Sequence, residues 1–201
     1  YTDIHAVENP LTSLQNDAAR TQQMVKQIDG PVLLVGHSYG GEVITEAGDL
    51  PNVVGLVYVA AFAPDAGESA GQISQEHPPA AFSNIAPDSD GYLWIAQDKF
   101  HESFAQDLSA DDAFVMAVTQ KAPLGSTFGD TVTAPAWKVK PVWYQVSTED
   151  RMIDPDNERR MAARMNPRKT IELDASHASL ASQPAAIVDL IDTAVADLAA
   201  E

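Results

Sequence analysis

The sequence predicts an α/β protein with a mostly parallel sheet, because two kinds of segment alternate along it. Short apolar runs, typical of strands buried on both faces, lie at 32–35, 53–61, 142–146 and 170–173. Stretches with apolar residues at helical spacing lie between or beside them. Strands and helices that alternate in this way form parallel sheets flanked by helices. The length of 201 residues suits one domain with one sizeable core.

The outer elements follow from the same signals. Residues 4–7 are predicted to form a short strand. The next helix is expected to end at Gly30 and Pro31 and to carry an apolar face made of Leu14, Ala18, Thr21, Val25 and Ile28. Asp154 and Pro155 predict a helix start, as a cap followed by proline. Pro184 opens a C-terminal helix whose apolar face is Ile187, Leu190, Ile191, Ala194, Val195 and Leu198.

The segment 64–139 differs from the rest in composition. Pro, Gly, Ser and acids are frequent in it, and it is too long for a plain loop. Aromatic residues are scattered through it, namely Phe82, Tyr92, Trp94, Phe100, Phe104, Phe114 and Phe128. We predict a mainly helical insertion with its best helices at 100–108 and 111–121. Residues 1–63 and 140–201 then form the core, and 64–139 form a cap that could cover a site at the strand ends.

Composition and charge exclude several function classes. The net charge of −17 makes nucleic acid and anionic membrane surfaces poor partners. The absence of cysteine excludes disulfides, thiolate zinc sites and cysteine nucleophiles. No apolar run approaches the roughly 20 residues that span a bilayer, and no signal peptide is visible. We expect a cytoplasmic protein, with secretion left open because the sequence opens at Tyr1.

The strongest chemical signal is the run Gly36-His37-Ser38-Tyr39-Gly40, which has the G-x-S-x-G pattern. It follows a predicted buried strand and precedes a predicted helix. Such a sharp turn crowds the backbone, and glycines at 36 and 40 are expected to remove Cβ atoms that would clash. Ser38 would then be strained, with its hydroxyl pointing outward as a nucleophile. The N–H of Tyr39 would stabilise an oxyanion. The alternative is a glycine- and serine-rich turn without chemistry.

A serine nucleophile needs a base. The candidates are His5, His37, His77, His101 and His177. Only His177 directly follows a late core strand, and the base comes last in the order serine, acid, histidine. We therefore predict His177 as the base, the alternative being a histidine of a surface loop.

Four acids compete to orient His177, namely Glu149, Asp150, Asp154 and Asp156. Asp154 is better explained as a helix cap, and Asp156 suits the first turn of that helix. Asp150 lies between the strand end and the cap, 27 residues before His177 (177 − 150 = 27), which leaves room for one helix and one strand. We favour Asp150, with Glu149 as the alternative, and expect it to stabilise the imidazolium that forms during attack.

Three segments, 36–41, 147–153 and 176–178, together resemble the α/β-hydrolase superfamily. The chain is most similar to small bacterial α/β hydrolases related to plant methylesterases and hydroxynitrile lyases, over almost its whole length and including 90–94. The resemblance implies an α/β-hydrolase fold with a cap. It also implies a serine esterase for a small-molecule ester, with no metal or organic cofactor. On that basis Phe62, Trp94 and Phe128 are pocket candidates, with ordinary packing an equally good interpretation of each. A homodimer is left open.

The chain departs from this family pattern at two places. Hydroxynitrile lyases place a lysine soon after the catalytic histidine, whereas Ala178, Ser179 and Leu180 follow His177, which favours ester hydrolysis. The family also begins with a strand and a loop that supplies a second oxyanion donor, whereas residues 1–9 match the strand after that one. We expect this first core strand and its loop to come from a segment before Tyr1 or from another chain, because an unpaired row of backbone groups inside a sheet is costly.

Two other functions fit the same residues. One is a ligand-binding or receptor protein on this scaffold, and the other is lyase or acyl-transfer chemistry with the same three residues. Fold alone does not separate them.

Overall fold

The computed structural model describes residues 3–200, and its core is a four-stranded parallel sheet. The strands are β1 (Val32–Ser38), β2 (Val53–Ala61), β3 (Ile85–Pro87), β4 (Leu93–Ile95), β5 (Val142–Ser147) and β6 (Lys169–Leu173). The order in the main sheet is β1-β2-β5-β6, while β3 and β4 form a separate antiparallel pair. The predicted α/β class is confirmed.

The helices are α1 (Leu14–Val25), α2 (Tyr39–Ala47), α3 (Ala70–Glu76), α4 (Phe100–Phe104), α5 (Ala110–Thr119), α6 (Pro155–Met165), α7 (Ser179–Ser182) and α8 (Pro184–Ala199). Helices α2 and α6 cover one face of the main sheet and α8 covers the other. Short 3₁₀ helices lie at Phe82–Asn84, Gln97–Lys99, Gly125–Gly129 and Ala136–Lys138. No helix within residues 3–200 is long and apolar enough to cross a membrane.

Strand β2 shows why the core strands are continuous apolar runs. Leu56 and Tyr58 pack on the face that is covered by α2 and α6. Val57 and Val59 alternate with them and pack on the opposite face, under α8. Because successive side chains point to opposite faces, a strand with helices on both sides needs apolar residues at every position.

Helix α1 begins after a serine cap. The Ser13 hydroxyl accepts the N–H of Asn16 at 3.1 Å, and Leu14, Ala18 and Val25 are buried. The helix ends at Val25, one turn before Ile28, so the last residue of the predicted apolar face lies beyond it.

The predicted strand at 4–7 is wrong, since the described residues before α1 contain no strand. The main sheet begins at β1, which pairs with β2. Among residues 3–200, β1 pairs with β2 alone, and the segment 4–7 joins no strand ladder. The sequence of residues 1–9 matches a strand of the family. Residues 1 and 2 of that segment lie outside the described residues. The expected additional strand and loop beside β1 stay a prediction.

The segment 64–139 contains α3, α4 and α5 together with a small sheet that the sequence analysis did not predict. Helix α4 ends at Phe104 instead of continuing to 108, and α5 begins after the Ser109 cap, whose hydroxyl accepts the N–H of Asp112. The antiparallel pair β3 and β4 is joined by a turn in which Gly91 has a φ of 87°. The Asp88 carboxylate accepts the N–H of Tyr92 in that turn. The division into core and cap stays a prediction.

Helix α2 buries one carboxyl group. The Glu42 side chain is fully buried, and its Oε1 accepts the N–H of Ala70 at 3.3 Å. Its Oε2 is buried without a hydrogen-bond partner among the described residues. Burial, and to a smaller extent the nearby acids Asp130, Glu46 and Glu68, raise the pKa of Glu42 to about 9. The side chain is therefore neutral at pH 7.

We expect Glu42→Gln to stabilise the protein increasingly as pH rises from 5 to 8. Above its ordinary pKa, Glu42 is ionised in the unfolded chain but protonated in the fold, so unfolding releases a proton. The contribution that the protonated Glu42 side chain makes to the free energy of unfolding is fully present below that ordinary pKa. It is lost as the pH rises toward about 9. The variant should remove a slope of about 1.4 kcal/mol per pH unit in the free energy of unfolding. Urea unfolding of both proteins at several pH values measures this, and a pH-independent difference would contradict it.

Candidate active site

Three of the predicted residues come together at one edge of the main sheet. Ser38 is the last residue of β1, Asp150 follows β5, and His177 follows β6. The carboxyl ends of parallel strands share an edge, which is where α/β folds place their sites. Ser38 Oγ lies 2.8 Å from His177 Nε2, and His177 Nδ1 lies 2.5 Å from Asp150 Oδ2. Asp150 and His177 are buried, and Ser38 is half-buried.

The turn around Ser38 is strained. Ser38 has a φ of 55° and a ψ of −128°, a conformation that non-glycine residues rarely adopt and that costs on the order of 1–3 kcal/mol. A Cβ on Gly36 would lie 2.5 Å from the carbonyl oxygen of Gly40, as expected for a crowded turn. The same expectation for Gly40 is wrong, since a Cβ there would meet nothing within 4 Å. The second crowded position is Gly41, whose Cβ would lie 2.3 Å from the carbonyl oxygen of Phe62.

Tyr39 begins α2 directly after Ser38. The first N–H groups of a helix have no acceptor within it and favour negative charge. Its phenol is engaged elsewhere, donating a hydrogen bond to Asp17 Oδ2 at 2.8 Å. Burial, together with that bond, raises the pKa of Tyr39 far above its ordinary value. The Tyr39 phenol is therefore occupied by Asp17, and an oxyanion-binding role for the Tyr39 backbone N–H stays a prediction.

The loop after β5 separates the four acidic candidates. Asp150 contacts His177, and its Oδ1 accepts the N–H groups of Met152 and Ile153 at 2.7 and 2.9 Å. The Glu149 side chain is exposed. Asp154 caps α6, as predicted. Asp156 forms an ion pair with an arginine of the same helix.

His37 has a role at this edge that the sequence analysis missed. Its Nε2 lies 2.8 Å from the carbonyl oxygen of His177. Burial of the ring, and secondarily the proximity of His177, lower the pKa of His37 to about 3, so the ring is neutral and its Nε2–H donates this bond. No sequence pattern identifies the contact, because it joins residues 140 positions apart through a backbone oxygen.

Phe104 is a second contact that the sequence did not single out. Its ring meets the His177 ring edge to face, with the centroids 4.7 Å apart, and its carbonyl oxygen accepts the N–H of Ala178 at 3.1 Å. It was one of several scattered aromatics in the segment 64–139, and nothing in the pattern set it apart. Helix α4 thus ends directly on the loop that carries His177.

The three pocket candidates have different surroundings. Phe62 is buried in the main core, and its N–H donates to the carbonyl oxygen of Ser38 at 3.1 Å. Phe128 packs against the Tyr39 ring with 5.8 Å between the centroids. Trp94 is exposed, and its indole N–H donates to Asp88 at 3.0 Å. Phe62 and Phe128 therefore lie next to the strained turn, while the hydrogen bond of Trp94 stays within the β3–β4 hairpin. A substrate-binding role for each stays a prediction.

Possible metal ligands occur together at one surface position in residues 3–200. Ligand atoms of His77, Asp154 and Asp156 lie within 4.8 Å of one another. Asp154 already caps α6 and Asp156 already pairs with Arg159, so both carboxylates have partners in the fold.

Comparison with known proteins gives a family match and several structural neighbours. Residues 1–190 match the family described as the alpha/beta hydrolase family. No curated protein matches the chain.

Solved structures that resemble the chain include three enzymes. Polyneuridine aldehyde esterase superposes with a TM-score of 0.76 at 15% identity, over 92% of this chain and 80% of that one. A pyrethroid hydrolase from Sphingobium faniae JZ-2 gives 0.74 at 21% identity, over 94% and 78%. A methylesterase from Arabidopsis gives 0.69 at 18% identity, over 94% and 80%. At these identities the likeness concerns the fold.

The crowding in the turn predicts that replacing two neighbouring glycines by alanine changes the stability of the protein in different directions. Gly41→Ala should destabilise the protein by about 2–3 kcal/mol, because its Cβ would overlap backbone and the Ala61 side chain. Gly40→Ala should be neutral or stabilise by up to about 1 kcal/mol, because the site is open and helical. Urea unfolding of the two variants beside the parent gives both values. Equal destabilisation by the two substitutions would contradict the account of the turn.

Proposed function

The chain belongs to the α/β hydrolase family, and from that premise we propose that it is a serine hydrolase that cleaves a carboxylic ester through an acyl-enzyme. The observation that carries the proposal is the continuous hydrogen-bonded series from Ser38 through His177 to Asp150, with distances of 2.8 and 2.5 Å. Nucleophile, base and orienting acid in this order are the arrangement that serine hydrolases use on unrelated folds.

In the first half of the reaction, Ser38 Oγ attacks the ester carbonyl carbon as His177 Nε2 takes its proton. Asp150 holds the Nδ1–H and so fixes the tautomer that leaves Nε2 free to accept. The oxyanion develops beside the start of α2, where the N–H of Tyr39 donates to it. His177 then returns the proton to the departing alkoxide.

In the second half, water attacks the acyl-enzyme with His177 again acting as base, and the carboxylic acid leaves. The neutral His37, bonded to the carbonyl oxygen of His177, and the Phe104 ring hold the loop that carries the base. Base and nucleophile come from different strands, so these contacts preserve the distance between them.

Ester hydrolysis fits the residues after His177 better than cyanohydrin cleavage does. Ala178 is buried, and the Ser179 hydroxyl donates to Gln145 Oε1 at 2.9 Å. Neither residue supplies a cation beside the base. The structural neighbours described above include proteins named as esterases and a pyrethroid hydrolase, which supports a small-molecule ester as substrate.

We expect Ser38→Ala to lower kcat/KM on short p-nitrophenyl esters at least about a thousandfold without loss of stability, because it removes the nucleophile but no core contact. The exposed Ser83→Ala, on the segment 64–139, is the matched control and should leave turnover unchanged. Release of p-nitrophenol measures the rates. Equal turnover by Ser38→Ala and the parent would refute the assignment of the nucleophile.

The acid is tested by a pair of neighbouring substitutions. Asp150→Asn should lower kcat by about 10³–10⁴, because an amide in that place favours the wrong tautomer of the base. Glu149→Gln alters an exposed side chain and should keep the parent rate. Steady-state kinetics with one ester on both variants gives the comparison. A larger loss in Glu149→Gln would move the role to that residue.

A further inference from the structure

Behind Asp150 lies a second carboxyl group that the proposed chemistry does not use. Glu158, on α6, is fully buried. Its Oε2 accepts the N–H of Ser147 at 3.0 Å. Its Oε1 is buried and receives no donor from any described residue. Glu158 and Asp150 meet at the Ser147 backbone, whose carbonyl oxygen accepts the N–H of Asp150 at 3.2 Å, and a side-chain hydrogen bond joins their two carboxyl groups.

Two carboxyl groups in contact inside a protein share one proton, because two adjacent buried negative charges repel strongly. An ionised carboxylate only accepts hydrogen bonds, whereas a neutral one also donates a single O–H. A hydrogen bond between Glu158 and Asp150 therefore requires the proton to reside on one of them.

The donors around the pair decide where the proton lies. Asp150 receives three of them, from the N–H groups of Met152 and Ile153 and from His177 Nδ1. Glu158 receives one, from Ser147. Since each donated bond stabilises negative charge, the charge belongs on Asp150 and the proton on Glu158 Oε1.

The other charged and titratable groups near Glu158 have partners of their own. Arg159, the next residue on α6, is exposed and bonded to Asp156 and Glu172. The Tyr144 hydroxyl, on β5, donates to the carbonyl oxygen of Ala61. On α3, Glu76 is paired with Arg160 at the surface. His177 lies beyond Asp150. Burial, followed by the charge of Asp150, raises the pKa of Glu158 well above its ordinary value.

We propose that Glu158 is a positioning residue whose neutral carboxyl donates a hydrogen bond to Asp150 and holds that carboxylate against His177. The proposal rests on the function proposed above, since Asp150 matters as the partner of His177. Glu158 touches no reacting atom. Its O–H completes the set of donors that keeps the buried Asp150 carboxylate oriented.

Two substitutions separate this role from simple packing. Glu158→Gln keeps both bonds, because the amide N–H donates to Asp150 and the amide oxygen accepts from Ser147. Glu158→Leu keeps the volume but removes the donor. We expect kcat for ester hydrolysis within about threefold of the parent in Glu158→Gln and at least about tenfold lower in Glu158→Leu.

The pH profile gives a readout that packing alone would not move. In the parent, activity should fall on the alkaline side, as Glu158 loses its proton and its charge repels Asp150 from His177. Glu158→Gln cannot ionise, so this fall should disappear. Glu42→Gln is the matched control, because it also replaces a buried neutral glutamate, but one that is not in contact with Asp150, and it should keep the parent profile.

Two measurements do not depend on turnover. Between pH 5.5 and 7.5, unfolding of the parent releases the Glu158 proton, so its unfolding constant should rise relative to that of Glu158→Gln by about tenfold per pH unit. Proton NMR should show a strongly deshielded His177 Nδ1 proton, which the short bond to Asp150 produces, in the parent and in Glu158→Gln. It should be lost or shifted in Glu158→Leu.

Three results would overturn the proposal. They are a ratio of unfolding constants that does not change with pH, a loss of the Nδ1 resonance in Glu158→Gln, and an equal loss of activity in folded Glu158→Gln and Glu158→Leu. If the parent hydrolyses no ester, the proposed function fails instead. The unfolding and NMR measurements then still decide whether Glu158 holds a proton against Asp150.

Discussion

The parallel pairing of β1, β2, β5 and β6 is the constraint on which the site depends. The register places Ser38 beside Ala61, and Ser147 beside Leu173. All four strands therefore end at one edge, where residues 38, 150 and 177 meet. Neither a serine hydroxyl nor an imidazole is reactive alone, and the reactivity proposed for Ser38 and His177 depends on distances that the backbone ladder fixes. The strain at Ser38 is stored in the same place, since the turn must leave β1 and enter α2 without an intervening loop.

Buried carboxyl groups lie around this edge in two different states. Asp150 is surrounded by donors and suits a negative charge. Glu42 and Glu158 each receive one backbone N–H and are held neutral by burial. The difference in charge comes from the number of hydrogen-bond donors that reach each carboxyl group and not from the type of residue. In the proposed mechanism the charge on Asp150 is thus directed to His177, while the neutral acids add no competing charge beside it.

The fold class and three candidate site residues could be read from the sequence because their signals are local. Apolar runs, a glycine-flanked serine and a capped helix after Asp154 each depend on a few neighbouring residues. Contacts through the backbone could not be predicted in this way, such as that of His37 with the carbonyl oxygen of residue 177. The contacts of Phe104 and Glu158 also depend on packing between elements distant in sequence. The strand expected at 4–7 shows the opposite error, since local β-propensity does not form a strand without a neighbour to pair with.

The central claim is that Ser38 is a nucleophile activated by the fold, and covalent labelling tests it most directly. The folded protein is treated with a fluorophosphonate, digested and examined by mass spectrometry. The account predicts one adduct per chain, on Ser38, that forms rapidly in the native protein and is absent when the protein is first denatured in urea. An adduct on another residue, or no adduct on the folded protein, would contradict the account.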